Sequence, residues 1–216
     1  MKTYGSSIIF VVLISLFHNC IMAQTGTQPE KLFNALQTKD LNNSLILVKN
    51  VSQVNYCGEG QLSLLMLASE DGYTEVCKIL IDKGANLDLR DYEDETALLI
   101  ASQRGRTEIV KLLLSKGAKL DLKDKEGETA LMKASEKGHK DVCKILIDKG
   151  AKMDLQTNSG FTALMMASMN EKTEIVKLLL EKGARIDLKS KEGKTACDWT
   201  QNDTIKILFT TYKKKK

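Results

Sequence analysis

A motif of the form Lys-Gly-Ala-x-apolar-Asp-Leu recurs along the chain at a fixed spacing of 33 residues. Its four copies begin at Lys83, Lys116, Lys149 and Lys182, and no insertion interrupts them. A fixed period of this length is typical of repeat proteins, in which each repeat packs only on its neighbours. Such folds present an extended surface, so the pattern favours a binding function over a catalytic one.

One repeat, residues 124–156, predicts two short helices. Thr129 is placed as the N-cap of the first helix, and Gly138 is placed to end it in a left-handed conformation. A second helix is indicated by apolar residues at helical spacing, namely Val142, Cys143, Ile145, Leu146 and Ile147. Residues 153–155 and the start of the next repeat alternate with a period of two, which predicts a short hairpin-like connection. Neither helix is long enough to be stable alone, so each must pack on its neighbours.

Further motifs recur in phase with the first. Thr-Ala-Leu begins at Thr96, Thr129 and Thr162, and Glu-Ile-Val-Lys-Leu-Leu-Leu begins at Glu108 and Glu174. Through these motifs residues 25–216 resemble the ankyrin-repeat family, whose 33-residue repeats consist of a turn and two helices. The resemblance implies an all-α solenoid with short β-hairpin-like turns. We expect one domain, residues 24–216, with five repeats and a shortened C-terminal cap, at 25–57, 58–90, 91–123, 124–156, 157–189 and 190–216.

Two departures from the family pattern stand out. The usual Thr-Pro-Leu-His tetrapeptide lacks its proline, and Met66, Leu99, Met132 or Met165 replaces its histidine. In the fifth repeat Glu171 takes the place of the glycine between the two helices. Because a side chain disfavours the left-handed conformation, we expect a looser turn at Glu171.

Residues 1–23 have the composition of a secretory signal peptide. They contain one lysine, a largely apolar stretch from Ile8 to Phe17 and a small residue, Ala23, before a predicted cleavage site. The stretch is too short to span a bilayer. We therefore expect an exported protein, periplasmic or extracellular according to its host, with no membrane span after cleavage. The alternative is an envelope-anchored structural or protective factor, held by an uncleaved N-terminus or by a lipidated Cys20.

The distribution of charge argues against a nucleic-acid-binding protein. Four of the 32 basic residues are the terminal Lys213–Lys216, and elsewhere lysine and glutamate alternate closely, as in residues 123–128. A nucleic-acid module would gather its cations on one face. The terminal lysines are expected to be a solvated end, or to make a weak contact with an anionic envelope surface.

The residues needed for catalysis or metal binding are missing from the sequence pattern. After removal of residues 1–23 the only histidine is His139, which the family resemblance assigns to a structural role. No spacing of Cys and His fits a zinc site, and no glycine-rich loop follows a strand to hold phosphate. We therefore expect no enzyme activity, no cofactor and no metal.

The remaining polar and sulfur-containing residues have structural interpretations. Cys77, Cys143 and Cys197 occupy core positions, whereas Cys57 is expected to be exposed. One aspartate per repeat is expected to satisfy backbone donors in the turns. These aspartates are Asp88, Asp121, Asp154 and Asp187.

The resemblance implies that a protein partner is recognised at the turn tips and the inward side of the first helices. The sequence does not identify this partner. Among these positions Tyr92 and Phe161 are apolar where charge is usual, and they are expected to be exposed anchors. We expect the protein itself to be monomeric. The predicted partner-binding residues are Tyr92, Glu93, Glu95, Gln103, Arg104, Lys125, Glu126, Glu128, Glu136, Lys137, Asn158, Ser159, Phe161, Met169, Asn170, Lys191 and Lys194.

Overall fold

A computed structural model describes residues 26–213, and the chain divides into two compact bodies between Ala85 and Asn86. The first body contains α1 (Gln28–Gln37), α2 (Leu41–Asn50), a 3-10 turn (Glu59–Gln61), α3 (Leu64–Asp71) and α4 (Thr74–Asp82). The second contains α5 (Ala97–Gln103), α6 (Thr107–Ser115), α7 (Ala130–Lys137), α8 (Lys140–Asp148), α9 (Ala163–Met169), α10 (Thr173–Glu181), a 3-10 turn (Ala196–Trp199) and α11 (Asp203–Lys213). The predicted signal peptide and Lys214–Lys216 lie outside the described residues.

The helices are arranged as stacked pairs, so the predicted all-α repeat fold is confirmed. In the second body α5, α7, α9 and the Ala196–Trp199 turn contact one another in chain order, and α6, α8, α10 and α11 form the second layer. No strand occurs among residues 26–213, so the predicted hairpin-like connections are turns, with one isolated antiparallel bridge between Cys57 and Ser63 in the described part of the chain. The core lies between the two layers, where each full repeat of the second body buries a leucine and a small second-helix residue, as at Leu131 and Cys143.

The recurring Thr-Ala-Leu motif sets the start of each first helix. The hydroxyl oxygens of Thr96, Thr129 and Thr162 accept hydrogen bonds from the backbone N–H groups three residues later, at 3.4, 3.4 and 3.2 Å. These threonines are buried, and a buried N-cap satisfies a donor that water could not reach. The methionine that replaces the family histidine also contributes, because Sδ of Met132 accepts a hydrogen bond from the Thr129 N–H at 3.4 Å.

The junction between the two helices of a pair has a left-handed backbone whatever residue occupies it. Gly105 and Gly138 have φ of +67° and +93°, and Glu171 adopts the same region with φ of +54°. The Lys172 N–H donates to the Ala167 carbonyl at 2.8 Å, as the Arg106 N–H does to Ala101. The expectation of a looser turn at Glu171 is therefore wrong, because packing of the helix pair fixes the backbone there.

Side chains link consecutive repeats of the second body through backbone atoms. Oδ1 of Asp88, Asp121 and Asp154 accepts a hydrogen bond from the backbone N–H 31 residues later, at 3.0, 3.1 and 2.9 Å. A second set of side chains donates instead of accepting. The side chains of Arg90, Lys123 and Gln156 donate to the backbone carbonyl oxygen 33 residues later, at 2.9, 2.7 and 2.9 Å. The prediction that these aspartates satisfy backbone donors is confirmed for these three, and the donors belong to the next repeat.

The four described cysteines are free, and their burial matches the prediction at three positions. Cys57 is exposed, whereas Cys77 and Cys143 are buried, and burial raises their thiol pKa values to about 12 and about 11. The expected core position of Cys197 is wrong, because this side chain is only half-buried. A single 3-10 turn replaces the α-helix there and covers the position less completely.

Candidate functional site

The turns that precede α5, α7, α9 and the Ala196–Trp199 turn form a row along one edge of the second body. Each turn is closed by a backbone hydrogen bond, such as that from the Asp124 N–H to the Glu128 carbonyl at 3.1 Å. Neighbouring turns are joined by three further backbone bonds, from Lys125 to Glu93, from Asn158 to Glu126 and from Lys191 to Ser159, at 3.0, 2.9 and 3.0 Å. We call residues 91–95, 124–128, 157–161 and 190–194 together the turn surface.

All of the predicted partner-binding residues lie in the second body, and those of the turns are brought together on the turn surface. The others lie at the C-terminal ends of α5, α7 and α9 or in the residue that follows. The exposed members are Tyr92, Glu93, Arg104, Lys125, Glu126, Lys137, Asn158, Ser159, Met169, Lys191 and Lys194. The half-buried members are Glu95, Gln103, Glu128, Glu136, Phe161 and Asn170.

A buried ionic cluster lies behind the turn surface and was not predicted from the sequence. Nζ of Lys133 on α7 lies 2.8 Å from a carboxylate oxygen of Glu95, 2.8 Å from Asp124 and 3.3 Å from Glu128. The Lys133 side chain is only 7% exposed and that of Asp124 only 1%. One ammonium group is therefore shared by three carboxylates, which ties the turns of two repeats to the first helix of one of them.

The protonation of this cluster follows from its burial and its charges. Burial acts to lower the pKa of Lys133, but hydrogen bonds from its ammonium to Asp124 and Glu95 outweigh that effect and raise the pKa above its usual value. Burial also raises the pKa of Glu128, and the attraction of Lys133 offsets this only in part. The lysine is therefore firmly charged, and its one ammonium group faces three acidic side chains at this end of the turn surface.

The repeat frame does contain a signal for the burial of Lys133. Counting in steps of 33, Lys133 falls where the other repeats of the second body carry Ile100, Met166 and Trp199. Taken as whole residues, backbone included, Ile100, Lys133 and Met166 are each 6% exposed. A lysine in an otherwise apolar column must find carboxylates, because an unpaired buried charge is too costly to retain.

Phe161 lies in an aromatic cluster with Trp199 of the last repeat. The two ring centroids are 4.8 Å apart, and the ammonium of Lys194 lies 4.3 Å from the centroid of the Trp199 ring. Phe161 is therefore less exposed than expected, since its ring is half-buried against a neighbouring repeat, and its role as an anchor stays a prediction. Tyr92 is exposed as expected, with 59% of its surface accessible.

His139 has the geometry of a packing residue. Its Nε2 lies 2.9 Å from the carbonyl oxygen of Gln103, and a Cβ added to Gly105 would meet the imidazole ring at 2.5 Å. The ring thus fills the space above a glycine of the preceding repeat. Residues 26–213 contain no cluster of His, Cys, Asp and Glu arranged to hold a metal ion. Within the same range, no helix has the length and apolar character needed to cross a membrane.

Comparison with known proteins agrees with the repeat geometry. A family model described as ankyrin repeats (3 copies) matches residues 32–124, 118–190 and 150–215. A search of curated proteins found no match. Ankyrin repeats are in general non-catalytic modules that bind other proteins, so the match indicates a protein partner. Since the matched segments cover most of the sequence and the described helices repeat with the same period, this chain belongs to the ankyrin-repeat family.

Proposed function

We propose that this protein is a non-enzymatic scaffold that binds a protein partner through the turn surface and the adjoining ends of α5, α7 and α9. The observation that carries the proposal is the row of turns held by backbone hydrogen bonds from Lys125, Asn158 and Lys191. Because the backbone holds the turns in place, their exposed side chains, such as Glu93, Glu126 and Lys191, can serve recognition without a cost to the core. Exposed residues such as Tyr92 and Met169 add apolar area to this edge.

A matched pair of variants tests the location of the binding surface. The full chain is used to capture its partner from the compartment in which it occurs, alongside a turn variant with Tyr92→Ala and Met169→Ala. The control carries Lys144→Ala and Lys177→Ala, two exposed positions on the second helices. We expect the turn variant to lose most of the captured partner and the control to keep it. Equal capture by both variants would place recognition elsewhere on the molecule.

We further propose that the scaffold acts after export from the cytoplasm. The support is the composition of residues 1–23, a lysine followed by a largely apolar stretch and then Ala23. Mass spectrometry of the native N-terminus tests this: a chain beginning at Gln24 indicates soluble export. A lipidated Cys20 or a retained Met1 would instead support the envelope-anchored alternative.

A further inference from the structure

The net charge of the turns changes steadily along the turn surface. The turn at 91–95 contains four acidic residues and no basic one, and the turn at 124–128 contains three acidic residues and Lys125. The turn at 157–161 has no charged residue, and the turn at 190–194 carries Lys191 and Lys194 against Glu192. The formal charge therefore runs from negative through zero to positive, in the order in which the backbone bonds place the turns.

The charges at both ends of this row are accessible to a partner. The side chains of Glu93 and Lys125 are 63% and 53% exposed and lie 3.8 Å apart, a distance at which their pairing is weak. Glu126 is exposed beside them. Lys133 does not neutralise these two glutamates, because its ammonium is buried and bound to Glu95, Asp124 and Glu128. At the other end Lys191 is exposed.

A turn without charge lies between the two charged ends. This turn contributes the apolar side chain of Phe161, whose half-buried ring contacts Trp199. Met169, at the other end of α9, is 44% exposed. At the acidic end Tyr92 is exposed next to Glu93. An aromatic ring beside carboxylates suits an arginine, whose guanidinium stacks on the ring while it pairs with the acid.

We propose that the turn surface binds an extended segment of a partner protein that has arginines at one end, a large apolar side chain in the middle and carboxylates at the other end. This inference rests on the proposed scaffold function and specifies the chemistry of the partner. Helix layers pack about 8–10 Å apart, so the three intervals from the first to the last turn span roughly 24–30 Å. An extended chain of about eight or nine residues covers that distance.

Synthetic peptides of nine residues test the order of the charges. The first peptide has two arginines, a central phenylalanine and two glutamates, with serine at the other positions. The second has the same composition but alternates arginine and glutamate, and the third has serine in place of phenylalanine. Fluorescence anisotropy with the full chain is expected to show binding of the first peptide and about tenfold weaker binding of the other two. Failure of the first peptide to bind, or equal binding by the second, would overturn the proposal.

Charge-reversal variants assign each end of the peptide. Glu93→Lys with Glu126→Lys, and separately Lys191→Glu, are each expected to weaken binding of the first peptide by about tenfold. The control, Lys144→Glu with Lys177→Glu on the second helices, is expected to bind it unchanged. The Lys191→Glu variant should recover binding to a peptide whose two glutamates are replaced by arginine. Absence of this recovery would mean that Lys191 does not contact the acidic end.

Partner capture and peptide binding together distinguish an error in the partner chemistry from an error in the proposed scaffold function. If the Tyr92→Ala and Met169→Ala variant loses the native partner while no peptide shows charge-order dependence, the scaffold function stands and the partner chemistry is wrong. If that variant captures the native partner as well as the unchanged chain, the turn surface is not the binding site, and the proposed function fails with it.

Discussion

Glu171 occupies a backbone conformation that its side chain disfavours. Its φ of +54° lies in the left-handed region, where the corresponding residues of two other repeats are Gly105 and Gly138. A side chain in this region costs on the order of 1 kcal/mol relative to glycine. The surrounding hydrogen bonds hold the turn in place, so this cost reduces the stability of the repeat instead of altering its geometry.

Replacing Glu171 by glycine should therefore stabilise the protein. We expect Glu171→Gly to raise the free energy of unfolding by about 0.5–1 kcal/mol, as measured by urea denaturation. The matched control is Gly138→Ala, which should lower it, because φ there is +93° and the added Cβ would lie 3.1 Å from the Lys172 side chain. An unchanged or lower stability of Glu171→Gly would show that the glutamate side chain makes a compensating contact.

Loss of the Lys133 ammonium should be strongly destabilising. We expect Lys133→Met to lower the free energy of unfolding by about 3 kcal/mol at pH 7, because three partly buried carboxylates lose their shared cation. The control is Ile100→Met, a volume-conserving change at the equivalent position, which should cost less than about 1.5 kcal/mol. Denaturant titration of both variants measures the difference.

The pH dependence of the Lys133→Met variant distinguishes charge from packing. Burial raises the pKa of Glu128, so the folded state favours its protonated form, and the stability associated with this group is present at low pH and lost as the pH rises through the folded pKa. Without Lys133 this loss should be larger. The deficit of the variant should therefore be greatest near pH 7 and should shrink below about pH 4. A deficit that is equal at both pH values would indicate lost packing.

At the scale of the element, Phe161 shows how a residue that the repeat pattern predicts to be exposed can be covered by the next repeat. Its turn precedes α9, and the Ala196–Trp199 turn of the next repeat brings an indole ring within 4.8 Å of it. Phe161 is apolar where the equivalent residues of other repeats are charged, but this difference alone does not predict its contact with Trp199. The two become partners only because stacked repeats place their first helices side by side.

This pairing gives Phe161 and Tyr92 different roles in stability. We expect Phe161→Ala to lower the free energy of unfolding by about 1–2 kcal/mol through the lost ring contact and burial. Tyr92→Ala should change it by less than about 0.5 kcal/mol, since most of that side chain is exposed. Thermal or urea denaturation of the two variants compares them directly. Equal stability of both variants would mean that the Trp199 contact contributes nothing.

The sequence predicted the elements well and their side-chain partners poorly, for a physical reason. Thr129 and Gly138 were identified as the start and end of a helix because capping depends on neighbouring residues along the chain. The ionic cluster joins Lys133 to Glu95, which lies 38 positions earlier, so that contact requires the stacking of two repeats to be known. Glu171 illustrates the same limit, since its backbone follows from the packed helix pair and not from its own preference.

At the scale of the whole molecule, the stacking of repeats predicts how the chain tolerates deletions. Removing residues 124–156 takes out one complete repeat, together with Asp124, Glu128 and Lys133 of the ionic cluster. Asp121 could then accept from the Arg185 N–H in place of Lys152, because the frame is preserved. We expect a soluble helical protein with a cooperative thermal transition, as measured by circular dichroism.

Removing residues 124–139 instead should disrupt the fold, although fewer residues are lost. This deletion takes away α7 and leaves α8 without its partner helix, so the apolar face of α8 would be exposed to water. The expected result is aggregation or a marked loss of helical signal. If both deletions gave equally cooperative proteins, the 33-residue unit would not be the unit of packing.

The links between consecutive repeats have a consequence for how such a chain evolves. In the second body the link from Arg90 ends on a backbone carbonyl, which every residue provides, and those from Asp88 and Asp121 end on a backbone N–H, which every residue except proline provides. A newly duplicated repeat therefore finds these partners at once, before any of its side chains has adapted. The identical segments Cys77–Ala85 and Cys143–Ala151 are the trace that such tandem copying would leave. Backbone recognition thus lets the array lengthen first and its surface diverge afterwards.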